Sequence, residues 1–582
     1  MKPIFLGKCE SDELLDLTTG ASRGIRNVCL TSDDLRTHVL GIGAPGSGKS
    51  KMIEWIVREL IDRREGFCLI DPHGTLFASI IEYLAYVRPD VEVVLFNPSF
   101  KERVVGFNPF RLEKGDLSAY SDSMVRAILR VWGVQDGKDT PRLKRWLKCV
   151  LYAVIEQKLS LDMARYLLSF DERAIRSHLT QRIKAPAIRD EFTHLAGHKR
   201  VEDFLVQVES TRNRLFDFYE SPSVRRIVSL DHHTLDLREI VEGKKILLCN
   251  LHEADSLSTE NASLLGTLLI NNLWSVAKQR KRKGRRDPHD FFVIMDEFQR
   301  FITPDIPDIL PQSRKFGLKF FLFQQLLAQL KQKDSYVFDA VMNTCQTKIV
   351  FGGLSFPDAQ IMVDELFSGD INYQRVKFLN QQVEFWPEVG RAKSYGSSDS
   401  TGNTHTFGDS SASNTGSSHG LTFGPEFDNW MMSDVTMNGN SYSDLSTDST
   451  SNIHTDSVSD LPFIYPIKHV VTRPPVTFEL NETLRTLAAL LKRQHQRHYL
   501  IGRLGHPTVA AVAPTVLPYN ASDRTIDRYV KKCLRGYLSA EAIDDELIRK
   551  HEQLARDADV LEARHFPEDV WEKQEIIHEL SS

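Results

Sequence analysis

Eight consecutive residues, Gly43-Ala44-Pro45-Gly46-Ser47-Gly48-Lys49-Ser50, carry the spacing G-x-x-x-x-G-K-[S/T]. Residues of these types at that spacing hold phosphate: the glycines let several backbone N–H groups converge on one anion, and the helix that follows adds its positive end. In such a loop the lysine reaches the β- and γ-phosphates and the hydroxyl holds Mg²⁺, which assigns those roles to Lys49 and Ser50. A second group is Asp296-Glu297, placed directly after the apolar run Phe291-Phe292-Val293-Ile294-Met295. Two carboxylates at the tip of a buried strand supply what nucleotide hydrolysis needs, one to orient Mg²⁺ through water and one to polarise the attacking water. Asp296 suits the first role and Glu297 the second. Together the two groups point to an enzyme that hydrolyses a nucleoside triphosphate.

The elements that must position these residues are legible around them. Thr37 to Ile42 is a short apolar run that reads as a strand entering the loop, and Met52, Ile53, Ile56, Val57, Leu60 and Ile61 form a helical stripe after it. Further strands are expected at Gly66–Ile70, Val91–Phe96, Lys245–Asn250, Gly317–Phe323 and Thr347–Phe351. Strands alternating with amphipathic helices make right-handed βαβ units and a parallel sheet, which binds ligands at the carboxyl ends of its strands. The fold class is therefore α/β. Residues 1–111 read as the first part of the sheet domain, with a lead-in before Thr37, and residues 112–235 as an inserted all-helical domain. In that insert, helix starts are expected at Ser121-Asp122-Ser123 and Ser160. Residues 236–393 resume the sheet domain, 394–460 form a Ser/Thr/Gly-rich insertion, 461–520 return to the sheet domain, and 521–582 form a helical tail of mixed charge. The insertion is low in complexity and reads as mobile with one anchoring hairpin, carrying an apolar island at Phe423, Phe427, Trp430, Met431 and Met432. The tail's alternating charges read as a solvated face.

Composition narrows the class. Hydrophobic residues make up 41% of the 582 positions, enough for a globular core. No stretch reaches the ~18 uninterrupted apolar residues of a membrane span, and Met1–Gly7 has too short an apolar core for a secretory signal. The seven cysteines are scattered without a C-x-x-C pair, which fits buried thiols in a reducing cytosol rather than a metal cluster. With a net charge of −5, nucleic-acid binding has to come from local basic surfaces. Two are present. Lys278 to Arg286 holds seven positive charges in nine positions, and Arg142, Lys144, Arg145 and Lys148 surround Trp146. The first reads equally as a DNA contact and as a solvated loop; the second reads more readily as an amphipathic helix with its Trp in the core.

Five segments occur in a telling order: Arg36-Thr37-His38 before the loop, Ile70-Asp71-Pro72-His73-Gly74, Gly106-Phe107-Asn108-Pro109-Phe110, Asp296-Glu297-Phe298-Gln299, and Ser313-Arg314-Lys315-Phe316-Gly317-Leu318 running on to Gln325. The series resembles the HerA/FtsK superfamily of ring-shaped DNA-pumping ATPases and, within it, the type IV coupling proteins of conjugation systems. The resemblance covers residues 30–370 and, more loosely, 461–520. It implies a RecA-like P-loop ATPase core with ATP and Mg²⁺ bound between the subunits of a homo-hexamer. Arg314, with Lys315 beside it, would then be the arginine given in trans to a neighbour's γ-phosphate, and Gln325 the γ-phosphate-sensing glutamine, with Gln324 adjacent. His73 would either touch the nucleotide or cap the following helix. The chain departs from the usual coupling protein in lacking N-terminal transmembrane helices, so it is expected in the cytoplasm or peripheral at the inner face of the membrane. The expected activity is ATP-driven DNA translocation into a conjugative or type IV secretion channel, with DNA, a relaxase and channel components as partners. The rival readings are a HerA-like pump acting with a nuclease in DNA processing or defence, and an ATP-gated adaptor that recruits protein substrates.

Overall fold

The computed structural model describes residues 3–9, 27–100, 102–112, 115–134, 140–230, 232, 234–253, 257–280, 288–303, 305–367, 376–378, 381–402, 412–420, 433–441, 451–472, 476–477 and 480–565. Lys281 to Arg286 and the apolar island from Phe423 to Met432 lie outside the described residues. The chain divides into two compact units, Met1–Gln374 with Phe478–Ser582, and Arg375–Thr477.

Among the described residues, the first unit is built on an eleven-stranded sheet. In chain order its strands are β1 (Ile4–Cys9), β2 (Asn27–Leu30), β3 (Val39–Ile42), β4 (Phe67–Asp71), β5 (Val93–Phe96), β6 (Ile246–Asn250), β7 (Phe291–Met295), β8 (Leu318–Gln324) and β9 (Thr347–Phe351). The second unit holds β10 (Val376–Phe378), β11 (Gln381–Gly402), β12 (Ala412–Gly420), β13 (Ser433–Ser441), β14 (Ser451–Thr472) and β15 (Val476–Thr477), after which β16 (His498–Arg503) and β17 (His506–Val512) complete the sheet of the first. The order across that sheet is β2-β1-β17-β16-β9-β3-β8-β7-β4-β6-β5. From β9 to β5 every pairing is parallel. The α/β class read from the sequence is thus the class observed. β3, β4, β7, β8 and β9 are buried at every position, as strands covered by helices on both faces must be. The stripe on the helix Lys49–Asp62 supplies part of that cover: Met52, Ile53, Ile56, Val57, Leu60 and Ile61 are all fully buried.

The other edge is antiparallel and starts earlier than Thr37. β1 pairs with both β2 and β17, and β16 joins the edge to β9. Side chains of the core fix β1 in place: Trp55 Nε1 donates to Phe5 O at 2.7 Å and the Tyr499 hydroxyl to Leu6 O at 3.2 Å.

Between β5 and β6 the chain runs through helices, among them Leu117–Val131, Pro141–Gln157 and Val201–Glu220. The first begins earlier than Ser121, because Asp116 caps it by accepting from the N–H groups of Ser118 and Ala119. Trp146 is buried and packs on Phe192, with ring centroids 5.6 Å apart. Around it Arg145 pairs with Glu191, and Lys148 with Asp122 at 2.8 Å. Two of the four basic residues near Trp146 are therefore answered by the protein's own carboxylates, and its aromatic ring belongs to the core.

The tail is less solvated than its charge pattern implies. In the helix Ala540–His565, Ile543, Leu547, Leu554 and Ala558 are buried. Polar contacts hold the same helix: Arg226 grips Asp544 with two bonds of 2.9 and 2.7 Å, and His551 meets Asp162 at 2.6 Å and the Tyr166 hydroxyl at 2.9 Å. No helix among the described residues is long and apolar enough to cross a membrane.

In the second unit, β11 and β14 pair antiparallel without a break from Gln381 opposite Thr472 to Gly402 opposite Ser451, and β12 pairs with β13. A two-stranded ladder pairs the backbone groups that face the partner strand and leaves the outward ones to solvent, so it calls for no hydrophobic core on its own account.

Candidate functional site

The glycine-rich loop leaves β3 at the carboxyl edge of the sheet. Two neighbouring strands hold its start: Gly43 N–H donates to Gln324 O at 3.3 Å, and Ala44 N–H to Gly352 O at 3.4 Å. Gly43 must be glycine because a Cβ there would lie 2.7 Å from Phe351 Cβ and 2.6 Å from Ser47 Oγ. Gly46 and Gly48 take φ values of 77° and 111°, a region open to glycine. The N-cap of the helix that starts at Lys49 is Gly48, which supplies no side-chain cap, so it does not compete with an anion for the first-turn N–H groups.

β7 lies two strands from β3, with β8 between them, a separation of roughly 10 Å. The Lys49 side chain spans it. Its Nζ is 3.0 Å from Asp296 Oδ1 and 2.9 Å from Glu297 Oε1, with all three residues buried. Burial pushes the Asp296 carboxyl above the ordinary range, and Lys49 only partly offsets it. For Glu297 burial acts in the same direction, but Lys49 and hydrogen bonds from Gln299 and Gln325 outweigh it and hold the carboxyl below the ordinary range. Glu297 is left-handed at φ 50°. That conformation costs a non-glycine residue on the order of 1–3 kcal/mol and persists where its surroundings over-determine it. Here they do. Glu297 N–H donates to Asp296 Oδ1 at 3.1 Å, Arg300 N–H to Glu297 O at 2.9 Å, and Gln299 Nε2 to Glu297 Oε2.

Glu297 borders a cavity of about 610 Å³, also lined by His73, Gln299, Gln325, Gln329 and Lys333. Of the adjacent glutamines, Gln325 faces this cavity. Gln324 ends β8 fully buried and pairs in register with Ile42. The helix Thr75–Val87 is capped by Asp71 rather than His73: Asp71 accepts from the N–H groups of His73 at 2.9 Å and Phe77 at 2.8 Å. The sequence offered this signal, a carboxylate at a strand end just before a helix.

Hard oxygen donors suit Mg²⁺, and the Ser50 hydroxyl with the Asp296 carboxylate are donors of that kind. Arg314 and Lys315 are not part of this group. They are exposed in a short turn, Arg314–Phe316, just before β8. β8 runs parallel to β3, so this turn lies at the opposite edge of the sheet, roughly 20 Å from the strand tips.

Residues 290–415 match the family model described as the TraM recognition site of TraD and TraG. The chain resembles type IV coupling proteins. No curated protein matches it. Among solved structures, the plasmid coupling protein TrwB in complex with the ATP analogue ADPNP aligns at TM-score 0.48 and 12% identity, covering 89% of this chain and 95% of that one. TrwB in complex with ADP and Mg²⁺ aligns at TM-score 0.46 and 13% identity, covering 90% and 96%. VirB4 of Thermoanaerobacter pseudethanolicus aligns at TM-score 0.40 and 13% identity, covering 62% and 87%.

Proposed function

We propose that this protein is a Mg²⁺-dependent ATPase that works as a homo-hexameric DNA translocase of the coupling-protein kind, feeding DNA into a conjugative or type IV secretion channel. The observation that carries the ATPase reading is the contact of Lys49, at the end of the phosphate loop, with both Asp296 and Glu297. In this reading the loop's N–H groups and Lys49 bind the triphosphate. Glu297, kept ionised, takes a proton from the attacking water in the glutamine-lined cavity, and Gln325 orients that water. Mg²⁺, held through Ser50 and Asp296, supplies charge neutralisation on the phosphate oxygens. Arg314, on the opposite edge, serves a neighbouring subunit's nucleotide rather than its own. The order of the five segments supports a DNA-pumping ATPase, and the family-model match over residues 290–415 supports a relaxosome-type partner and favours this reading over a pump paired with a nuclease.

Steady-state ATP hydrolysis with and without single- and double-stranded DNA tests the proposal, beside Lys49→Ala and Glu297→Gln. Stimulation by DNA that both variants abolish is the expected result. Turnover indifferent to DNA would sink the translocase reading and turn attention to protein substrates.

A further inference from the structure

A phosphate loop works only if its peptide planes face the right way. In a trans peptide the C=O and the N–H of the next residue point in opposite directions. Whatever holds the Ser47 carbonyl therefore also aims the Gly48 N–H. That partner is remote in sequence: Arg497 N–H donates to Ser47 O at 2.8 Å.

Arg497 sits between the helix Leu480–Arg493 and β16 at φ 72°, a conformation that side chains disfavour. Its guanidinium holds it there, donating to Ala513 O at 2.6 Å and Thr515 Oγ1 at 2.7 Å. Its carbonyl accepts from Ala513 N–H at 2.9 Å. The approach to the loop is close: a Cβ on Gly48 would lie 3.1 Å from Arg497 Cα and 3.2 Å from its N. A second strut runs beside it. Gly353 N–H donates to Lys492 O at 3.2 Å, and Gly352, whose carbonyl accepts from Ala44 N–H, leaves only 2.7 Å between its own would-be Cβ and Gln494 O.

We propose that Arg497 is a positioning residue for nucleotide binding. By turning the Ser47 carbonyl outward it aims the Gly48 N–H at the bound phosphate, with Ala513 and Thr515 as its anchor. The assignment rests on the nucleotide reading above. Its Nη2 is committed to Ala513 and Thr515, and the role assigned here is exerted through the backbone N–H.

The test uses the full chain with Arg497→Ala, Arg497→Lys and Thr515→Val. Two quantities are read: amide hydrogen exchange over residues 44–52 without nucleotide, and the Kd of a fluorescent ATP analogue with Mg²⁺. Arg497→Ala is expected to speed exchange in that segment and around its anchor at Ala513, but not across the rest of the sheet, and to weaken binding by about tenfold, the scale of one lost hydrogen bond. Arg497→Lys should recover most of the loss. Thr515→Val, an exposed change that removes one anchor bond, should cost about two- to threefold. Wild-type exchange and wild-type Kd in Arg497→Ala would overturn the proposal, as would exchange that rises uniformly across the sheet. Lys49→Ala is the separate control on the nucleotide reading. If it leaves the Kd of the wild type unchanged, that reading falls, while the exchange measurement still decides whether Arg497 holds the loop.

Discussion

Lys49 Nζ lies 2.9 Å from Glu297 Oε1, although the two residues are 248 positions apart. One ammonium serves two buried carboxylates, so the cation of the phosphate loop and the acids of β7 form a single electrostatic unit. Removing one partner of a buried ion pair costs about 3–5 kcal/mol, because the remaining charge loses its compensation.

Lys49→Ala should therefore lower the thermal midpoint as well as abolish hydrolysis. Without the cation, Asp296 and Glu297 hold more tightly to protons. The loss of stability should accordingly be larger at pH 8, where the pair must stay charged, than at pH 5, where it can be neutral. Scanning calorimetry of both proteins at the two pH values checks this; an equal drop at each would contradict the unit.

Glu297→Gln keeps the size of the side chain and removes the base. Turnover should fall by about 10²–10⁴, the usual contribution of a general base, while nucleotide affinity stays within a few-fold of wild type. A parallel loss of affinity would mean that Glu297 serves binding rather than chemistry.

His38 offers a prediction at the far edge of the sheet. It is buried, bonded through Nε2 to Leu310 O at 2.7 Å, and its Nδ1 accepts from Phe320 N–H at 3.1 Å. Burial, with Lys319 and Arg314 nearby, pushes its pKa down to about 4 from 6.5. Between those values the unfolded chain binds the extra proton and the folded chain does not, so stability falls as pH drops from 6.5 toward 4, by up to about 3 kcal/mol. His38→Asn should be less stable at pH 7 yet flatter between pH 6.5 and 4 in thermal midpoint.

Arg314→Ala should bind nucleotide normally and lose turnover by about 10³ or more, the scale of a finger given in trans. Mixing it with Lys49→Ala subunits should restore activity above either variant alone, because some interfaces then contain one intact half of each kind. No recovery on mixing would leave Arg314 with a role inside its own subunit.

His551→Ala removes the bond that the tail helix makes to buried Asp162. A hydrogen bond to a charged group contributes about 1.5–3 kcal/mol, so limited proteolysis should cut within residues 540–565 faster than in wild type.

Local signals were legible and remote ones were not. The phosphate loop and the apolar strand ending in Asp296-Glu297 declare themselves in short windows, because glycine spacing and strand burial are local constraints. β1 and β2 escaped because what places them in the sheet is remote: β1 joins it by pairing with β17, near the far end of the chain. The tail's alternating charges masked Ile543, Leu547, Leu554 and Ala558, whose spacing marks one buried helical face. Asp71 was passed over for His73 although a carboxylate before a helix is the stronger cap. Arg497 left no trace in sequence: its role depends on a backbone conformation and on a partner that only the folded sheet brings near.

The sheet's composition from both halves of the chain also bears on synthesis. β3 emerges from the ribosome early, whereas Arg497, β16 and β17 follow after the whole second unit. Translation at about 5–20 residues per second puts the roughly 450 residues between Ser47 and Arg497 some 20–90 s apart. During that interval β1 has no β17 to pair with and the phosphate loop has no Arg497. A nascent chain would thus bring the phosphate loop and its Arg497 support together only near the end of translation.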